Sequence, residues 1–318
     1  MRIVNDQKVR GYIIKVFTCK FGIQPKFITP MTTGLANEVY MVNYQNKEAI
    51  IRLNKNSSPL KGSSHFIPLF KAQGIRVPEI IFEDYSKKLV PYYYQILTKL
   101  PGTDIKNVVH KLSTPQLKSI AKELALIIKK LRRLPTSGKY GYRESTVSGL
   151  SSSWTLVMRK MIQEIRQRGK KNHLIDTKID DLLNILWNEY KPYFNSVPSI
   201  FYYDDMSSKN VMIEKGKFTG LVDVDGVVYG DYLEAIGRIK ASWYGTKYGA
   251  LYAEAVMKEL RLNNKQREMV TVYAILNRIF WLSRMGGNFN LHTPKTINKQ
   301  KVTQSKKIIH ALYAELKN

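Results

Sequence analysis

Phe201-Tyr-Tyr-Asp-Asp-Met-Ser-Ser-Lys-Asn-Val211 and, shortly after it, Gly220-Leu-Val-Asp-Val-Asp-Gly226 decide how this chain is read. Asp205 and Asn210 stand five residues apart, directly after an apolar, strand-like run. Asp223 and Asp225 alternate within a second apolar run, so the pattern predicts a strand with both carboxylates on one face. Two like charges held there are costly unless a proton or a cation compensates, and a divalent metal is the natural cation. Residues 204–234 hold seven acids (Asp204, Asp205, Glu214, Asp223, Asp225, Asp231 and Glu234) against three lysines. An even spread of the chain's acids would put about two there.

Around that block the protein is strongly basic. Its 318 residues carry 51 Lys+Arg against 25 Asp+Glu, a formal charge of +26. A hydrophobic fraction of 44% and an aromatic content of 11% exclude a disordered basic tail and fit two domains or one bilobal unit. The single cysteine, Cys19, excludes an intramolecular disulfide and a cysteine metal cluster, and the five histidines lack metal-site spacing. The most apolar run, Met269 to Leu282, is broken by Asn277 and Arg278 and is shorter than the ~20 residues of a membrane span. No membrane span and a cytoplasmic protein are expected.

Periodicity divides the chain. Helical spacing of Val9, Ile13, Val16 and Phe17 predicts a first helix over 8–21. Short β-type runs follow at 38–42, 49–53, 79–82 and 92–97, with a hairpin turn at Tyr44-Gln-Asn-Lys47. A helix over 63–72 is expected, with Pro68 in its first turn or kinking it. After Leu100-Pro-Gly-Thr103, helical patterns dominate at 116–134, 153–168, 179–190 and from Asp231 onward. They are interrupted by β-type runs at 199–203, 211–213 and 219–224. The plan is α+β, with a small β-rich N-terminal lobe (1–98) and a larger, mainly helical C-terminal lobe (99–318).

Phosphoryl transfer uses one Asp to orient and deprotonate a hydroxyl, and an Asn with a second Asp to hold Mg²⁺ against nucleotide phosphates. The text Asp205-x-x-x-x-Asn210, a hairpin, then apolar-flanked Asp223 resembles the aminoglycoside phosphotransferase and choline kinase superfamily, which shares the two-lobed protein-kinase-like fold. The resemblance implies Asp205 as catalytic base, Asn210 and Asp223 as metal ligands, Mg²⁺ as cofactor and ATP or GTP as donor. It implies nucleotide contacts from Thr32, Thr33 and Gly34, from Arg52 at the phosphates, and from the main chain of Ile96, Leu97 and Thr98. Ile75-Arg-Val-Pro-Glu79 and Leu100-Pro-Gly102 also fit family texts. Two departures stand out. Tyr203 occupies the place of the family's His, and no acid lies between Lys55 and Val77, where the family places a Glu that pairs with the phosphate-contacting cation.

Asp225, Asp231 and Glu234, close in sequence to the base, suit an amine-bearing small-molecule acceptor, choline-like or aminoglycoside-like. Two other readings stand beside this one. The two departures suit a weak or inactive kinase-like protein that binds nucleotide or a partner. Residues 269–314, with seven basic residues and no acid, suit nucleic acid, although no nucleic-acid-binding signature accompanies them.

Overall fold

The structure is a computed structural model describing residues 2–31, 37–143, 149–287 and 296–318. The chain packs as two compact units. One comprises Met1–Pro101, Gly220–Gly226 and Gly287–Lys295, and the other Gly102–Thr219, Val227–Gly286 and Thr296–Asn318. The segment Gly220–Gly226, expected in the C-terminal lobe, therefore groups with the first unit.

In the first unit, α1 (Arg2–Phe21) precedes β1 (Phe27–Pro30), β2 (Glu38–Tyr44), β3 (Lys47–Asn54), α2 (Ser58–Ala72), β4 (Ile80–Asp84) and β5 (Tyr93–Thr98). The strands form one antiparallel sheet in the order β1-β2-β3-β5-β4. Gln45 and Asn46 take positive φ of 48° and 59°, so the expected hairpin is closed by a two-residue turn whose twist matches the strands. Val9, Ile13, Val16 and Phe17 of α1 pack on Tyr40, Val42, Ile51, Leu53 and Ile96 of the sheet. The helix α2 begins five residues before the periodicity places it, with a proline in its first turn. Pro68 therefore lies inside the helix, where it forgoes the bond to the carbonyl of Ser64.

The second unit begins with β6 (Thr103–Asp104), α3 (Ile105–Val108), α4 (Thr114–Leu131), β7 (Gly141–Arg143), α5 (Trp154–Asn172) and α6 (Thr177–Ser196). β8 (Ile200–Tyr202), β9 (Val211–Glu214), β10 (Lys217–Leu221) and β11 (Val227–Gly230) follow, then α7 (Leu233–Trp243), α8 (Gly249–Glu259), α9 (Asn264–Ser283) and α10 (Lys299–Lys317). The strands make two small sheets, β10-β9-β6 and β7-β11-β8. Helix α4 is opened by a capping box, Ser113 with Gln116. The apolar run 269–282 becomes α9, buried nearly all round within the helical unit. No helix among the described residues is long and apolar enough to cross a membrane.

Candidate active site

Arg52 sits near the end of β3, between Val39 of β2 and Gln95 of β5 in the ladder, and is 4% exposed. A guanidinium so buried needs acceptors. Its Nη1 donates to Ser63 Oγ of α2 at 2.8 Å, and its Nη2 donates to Asp223 Oδ1 at 3.1 Å and to Asp225 Oδ2. Ser63 Oγ donates in turn to Asp225 Oδ1, and Asn37 Nδ2 reaches Asp225 Oδ2 at 3.3 Å. Burial opposes the charge on Arg52, but Asp225 and Asp223 more than restore it and hold the group protonated.

The two aspartates meet, though not by strand alternation. β10 stops at Leu221, and Asp223 turns into the left-handed region at φ 62°. An aspartate tolerates that conformation better than most residues, and such positions recur at functional sites. The compensating cation in this structure is Arg52, where the sequence suggested a metal. The acceptor role expected of Asp225 is corrected too, because its carboxylate is taken up by Arg52, Ser63 and Asn37.

Thr32, Thr33 and Gly34 lie outside the described residues. Ile96 and Leu97 are in the middle of the sheet, each paired to β3 on one side and β4 on the other. The ladder thus takes the main-chain groups expected to face an adenine. Thr98 pairs with Ala49, its N–H donates to Glu79 O at 2.9 Å, and its Oγ1 accepts from Glu79 N at 2.8 Å. The ladder ends there, so Lys99 and Leu100 are the first positions beyond it.

In the second unit, Asp205 lies in the loop between β8 and β9. Burial raises its pKa, opposed by Lys209, Asn210 and Ser207. Asn210, 7% exposed, donates through Nδ2 to Tyr203 Oη and to the carbonyl oxygen of Asp205, each at 3.2 Å. Both bonds turn the NH₂ of the amide toward the protein, and its oxygen is the hard donor a Mg²⁺ takes. The hydroxyl of Tyr203 thus steadies the loop from the position where the family carries His.

The remaining acids have local partners. Asp204 pairs with Arg238 of α7. Asp231 is 4% exposed and accepts from Tyr193 Oη at 2.7 Å, Tyr273 Oη at 2.9 Å and Leu233 N at 3.1 Å. Burial raises its pKa against those donors. Glu234 accepts from Asn277 Nδ2 at 3.0 Å and Tyr202 Oη at 3.4 Å, and burial pushes its pKa up to about 7. Asp231 and Glu234 are therefore bound into the helical core, which corrects the expectation that they face an acceptor amine.

The sequence profile of the phosphotransferase enzyme family, APH, matches residues 28–269. The chain belongs to the phosphotransferase enzyme family. Among solved structures, the apo form of a thermostable mutant of aminoglycoside phosphotransferase APH(4)-Ia superposes with a TM-score of 0.70 at 13% identity, covering 94% of this chain and 98% of that one. The GDP and kanamycin complex of APH(2")-IIia gives a TM-score of 0.73 at 13% identity, covering 96% and 99%. No curated protein sequence matches. The two-lobed, kinase-like α+β fold is thereby established, and family membership makes the chain a phosphotransferase acting on an alcohol group.

Several residues of this phosphotransferase escape a reading of its sequence. Ser63 and Asn37, which share Asp225, carry no motif. Their only trace is the missing acid on α2, which leaves Arg52 needing another partner. Arg238, Asn277 and Tyr202, around Asp204 and Glu234, are set by the packing of α7 and α9. Among the described residues no three His, Cys, Asp or Glu side chains gather closely enough to cage a metal. A Mg²⁺ held by one or two protein oxygens and substrate phosphates needs no such cage, so the donor set of Asn210 and Asp223 fits this ion.

Proposed function

We infer that the protein transfers the γ-phosphate of ATP or GTP to a hydroxyl of an amine-bearing small molecule, with Mg²⁺ as cofactor. The observation that carries this reading is the Asp205–Asn210 loop, with the amide of Asn210 fixed by Tyr203 and its oxygen left as ligand. Asp205 accepts the proton of the acceptor hydroxyl. Its burial lifts its pKa from the ordinary carboxylate value toward working pH, which strengthens it as a base. Asn210 and the half-exposed Asp223 would hold the metal, which when bound neutralises phosphate charge. Arg52 is assigned to the donor's phosphates, together with the loop of Thr32, Thr33 and Gly34.

The donor and acceptor classes draw on the structural neighbours. One APH(4)-Ia structure is a ternary complex with AMP-PNP and hygromycin B, another holds ADP and hygromycin B, and an aminoglycoside 2'-phosphotransferase holds GDP. In this chain Asp204, Asp225, Asp231 and Glu234 are occupied internally, so an acceptor amine must be met by other groups. The test is a nucleotide-consumption screen with ATP and GTP, with and without Mg²⁺, against aminoglycosides, amino alcohols, and neutral and acidic polyols. Turnover confined to amine-bearing acceptors is expected. Turnover confined to neutral or acidic ones would overturn the acceptor class, and no turnover with either nucleotide would overturn the activity.

A further inference from the structure

We propose that Asp225, bridged by Ser63, is the positioning residue for Arg52, and that this anchor leaves Asp223 to the metal. The inference rests on the reading of Arg52 as a phosphate contact and of Asp223 as a metal ligand. The two aspartates that meet Arg52 are not equivalent. The side chain of Asp223 is 48% exposed, and that of Asp225 is 11% exposed. Both oxygens of Asp225 are engaged from buried donors, Oδ1 by Ser63 and Oδ2 by Arg52 and Asn37. Asn37 is itself held by Asn54 Nδ2 at 2.8 Å. Every partner of Asp225 is thus tied to a further element of the same unit.

The backbone reinforces the arrangement. A Cβ on Gly62 would stand 1.7 Å from the carbonyl oxygen of Asp225, so only glycine lets α2 lie directly on that segment. The next residue, Ser63, is fully buried and hydrogen-bonds both the acid and the arginine. The Gly62-Ser63 pair therefore brings a carboxylate from residue 225 to a helix that has none of its own between Lys55 and Val77. Without Asp225, Asp223 would be the nearest anion for a buried guanidinium. An Asp223 fully engaged by Arg52 offers less charge to a cation. Asp225 thus divides the work, keeping Arg52 fixed while Asp223 stays open to Mg²⁺.

The test measures AMP-PNP binding calorimetrically over a range of Mg²⁺ concentrations, alongside thermal unfolding of the full chain. Asp225→Asn is expected to raise the Mg²⁺ needed for half-maximal binding by about tenfold, the scale of a lost hydrogen bond to a charged group. The exchange variant S63D/D225S, which moves the carboxylate onto α2, is expected to recover most of that loss. Should Asp225→Asn fail to fold, Ser63→Ala, which keeps every charge, is expected to raise the Mg²⁺ requirement about threefold. A variant series that unfolds at lower temperature but keeps the wild-type Mg²⁺ requirement would overturn the proposal. So would a folded exchange variant that binds no better than Asp225→Asn. A wild-type protein that binds no nucleotide at any Mg²⁺ concentration would overturn the proposed function, and this inference with it.

Discussion

The hydroxyl of Tyr203 accepts a hydrogen bond from the side-chain amide of Asn210 at 3.2 Å, seven residues along the chain. The same amide nitrogen reaches back to the carbonyl oxygen of Asp205, so one contact ties the end of β8, the proposed base and the proposed metal ligand together. Tyr203 is 2% exposed, and its ring is part of the core whatever its hydroxyl does.

Tyr203→Phe separates these roles. The ring stays, and one buried hydrogen bond is lost, at a cost of about 1 kcal/mol in stability. The amide of Asn210 then loses its orientation, and Mg²⁺-dependent AMP-PNP binding should weaken several-fold while metal-free binding hardly changes. Titration calorimetry of both proteins with and without Mg²⁺ checks this. Equal Mg²⁺ dependence would show that Tyr203 serves only the core.

Asp205→Asn tests the base. Loss of a general base costs about 10²–10⁴ in rate, and nucleotide affinity should hold. Stability supplies a second, independent readout. Because burial disfavours the ionised carboxylate of Asp205, the neutral amide should unfold at the same temperature as the wild type or a higher one. A marked fall in unfolding temperature would instead mean that the charge is structurally required.

Glu234 makes stability depend on pH in a calculable direction. Its folded-state pKa of about 7 lies above the ordinary 4.5, chiefly through burial, with Asp205 and Asp231 adding to the rise and Asn277 and Tyr202 opposing it. In that window the folded protein keeps a proton that the unfolded chain has released. The contribution is therefore full below pH 4.5 and is lost as pH rises through about 7. A shift of this size corresponds to about 3 kcal/mol. Asp205 and Asp231 are displaced in the same direction. The lowered carboxylates, Asp84 and Asp176 among them, act oppositely but at more acidic pH. Unfolding temperature should fall from pH 5 toward neutrality, and Glu234→Gln should flatten that fall. An equally steep profile in the variant would exclude Glu234 as its source.

The fold was legible because its signals are local. The hairpin at Gln45-Asn46, the alternation in β2 and β3 and the Asp205-to-Asn210 spacing are set by near neighbours in sequence. The anchoring of Arg52 was not legible, since it depends on residues 37, 63, 223 and 225 meeting through tertiary packing. The missing acid of α2 was visible as a gap, but nothing local says that Asp225 fills it. The same limit misplaced Asp223 on a strand. Apolar flanks suggested alternation, whereas the chain leaves β10 at Leu221 and turns through a left-handed aspartate. Asp231 and Glu234 were read as site residues because they are acidic and near Asp205 in sequence. Only the packing of α6, α7 and α9 shows that donors already meet them.

Asp231 provides the sharpest contrast between a site residue and a structural one. Two tyrosine hydroxyls, from Tyr193 on α6 and Tyr273 on α9, converge on Oδ2, and Trp154 Nε1 of α5 donates to Tyr273 Oη at 2.8 Å. The carboxylate therefore closes a chain of hydrogen bonds linking α5, α6 and α9 at the start of α7. Asp231→Ala would leave the hydroxyls of Tyr193 and Tyr273 without their acceptor, and each buried unsatisfied group costs about 1–3 kcal/mol. Denaturant unfolding should show a loss of several kcal/mol with the slope unchanged. The triple variant D231A/Y193F/Y273F should recover part of it, because donors and acceptor are then removed together. If Asp231 met an acceptor amine instead, Asp231→Ala would raise KM for that acceptor at nearly unchanged stability. A stability loss accompanied by an unaltered KM in the surviving folded fraction is the result the hydrogen-bond geometry requires.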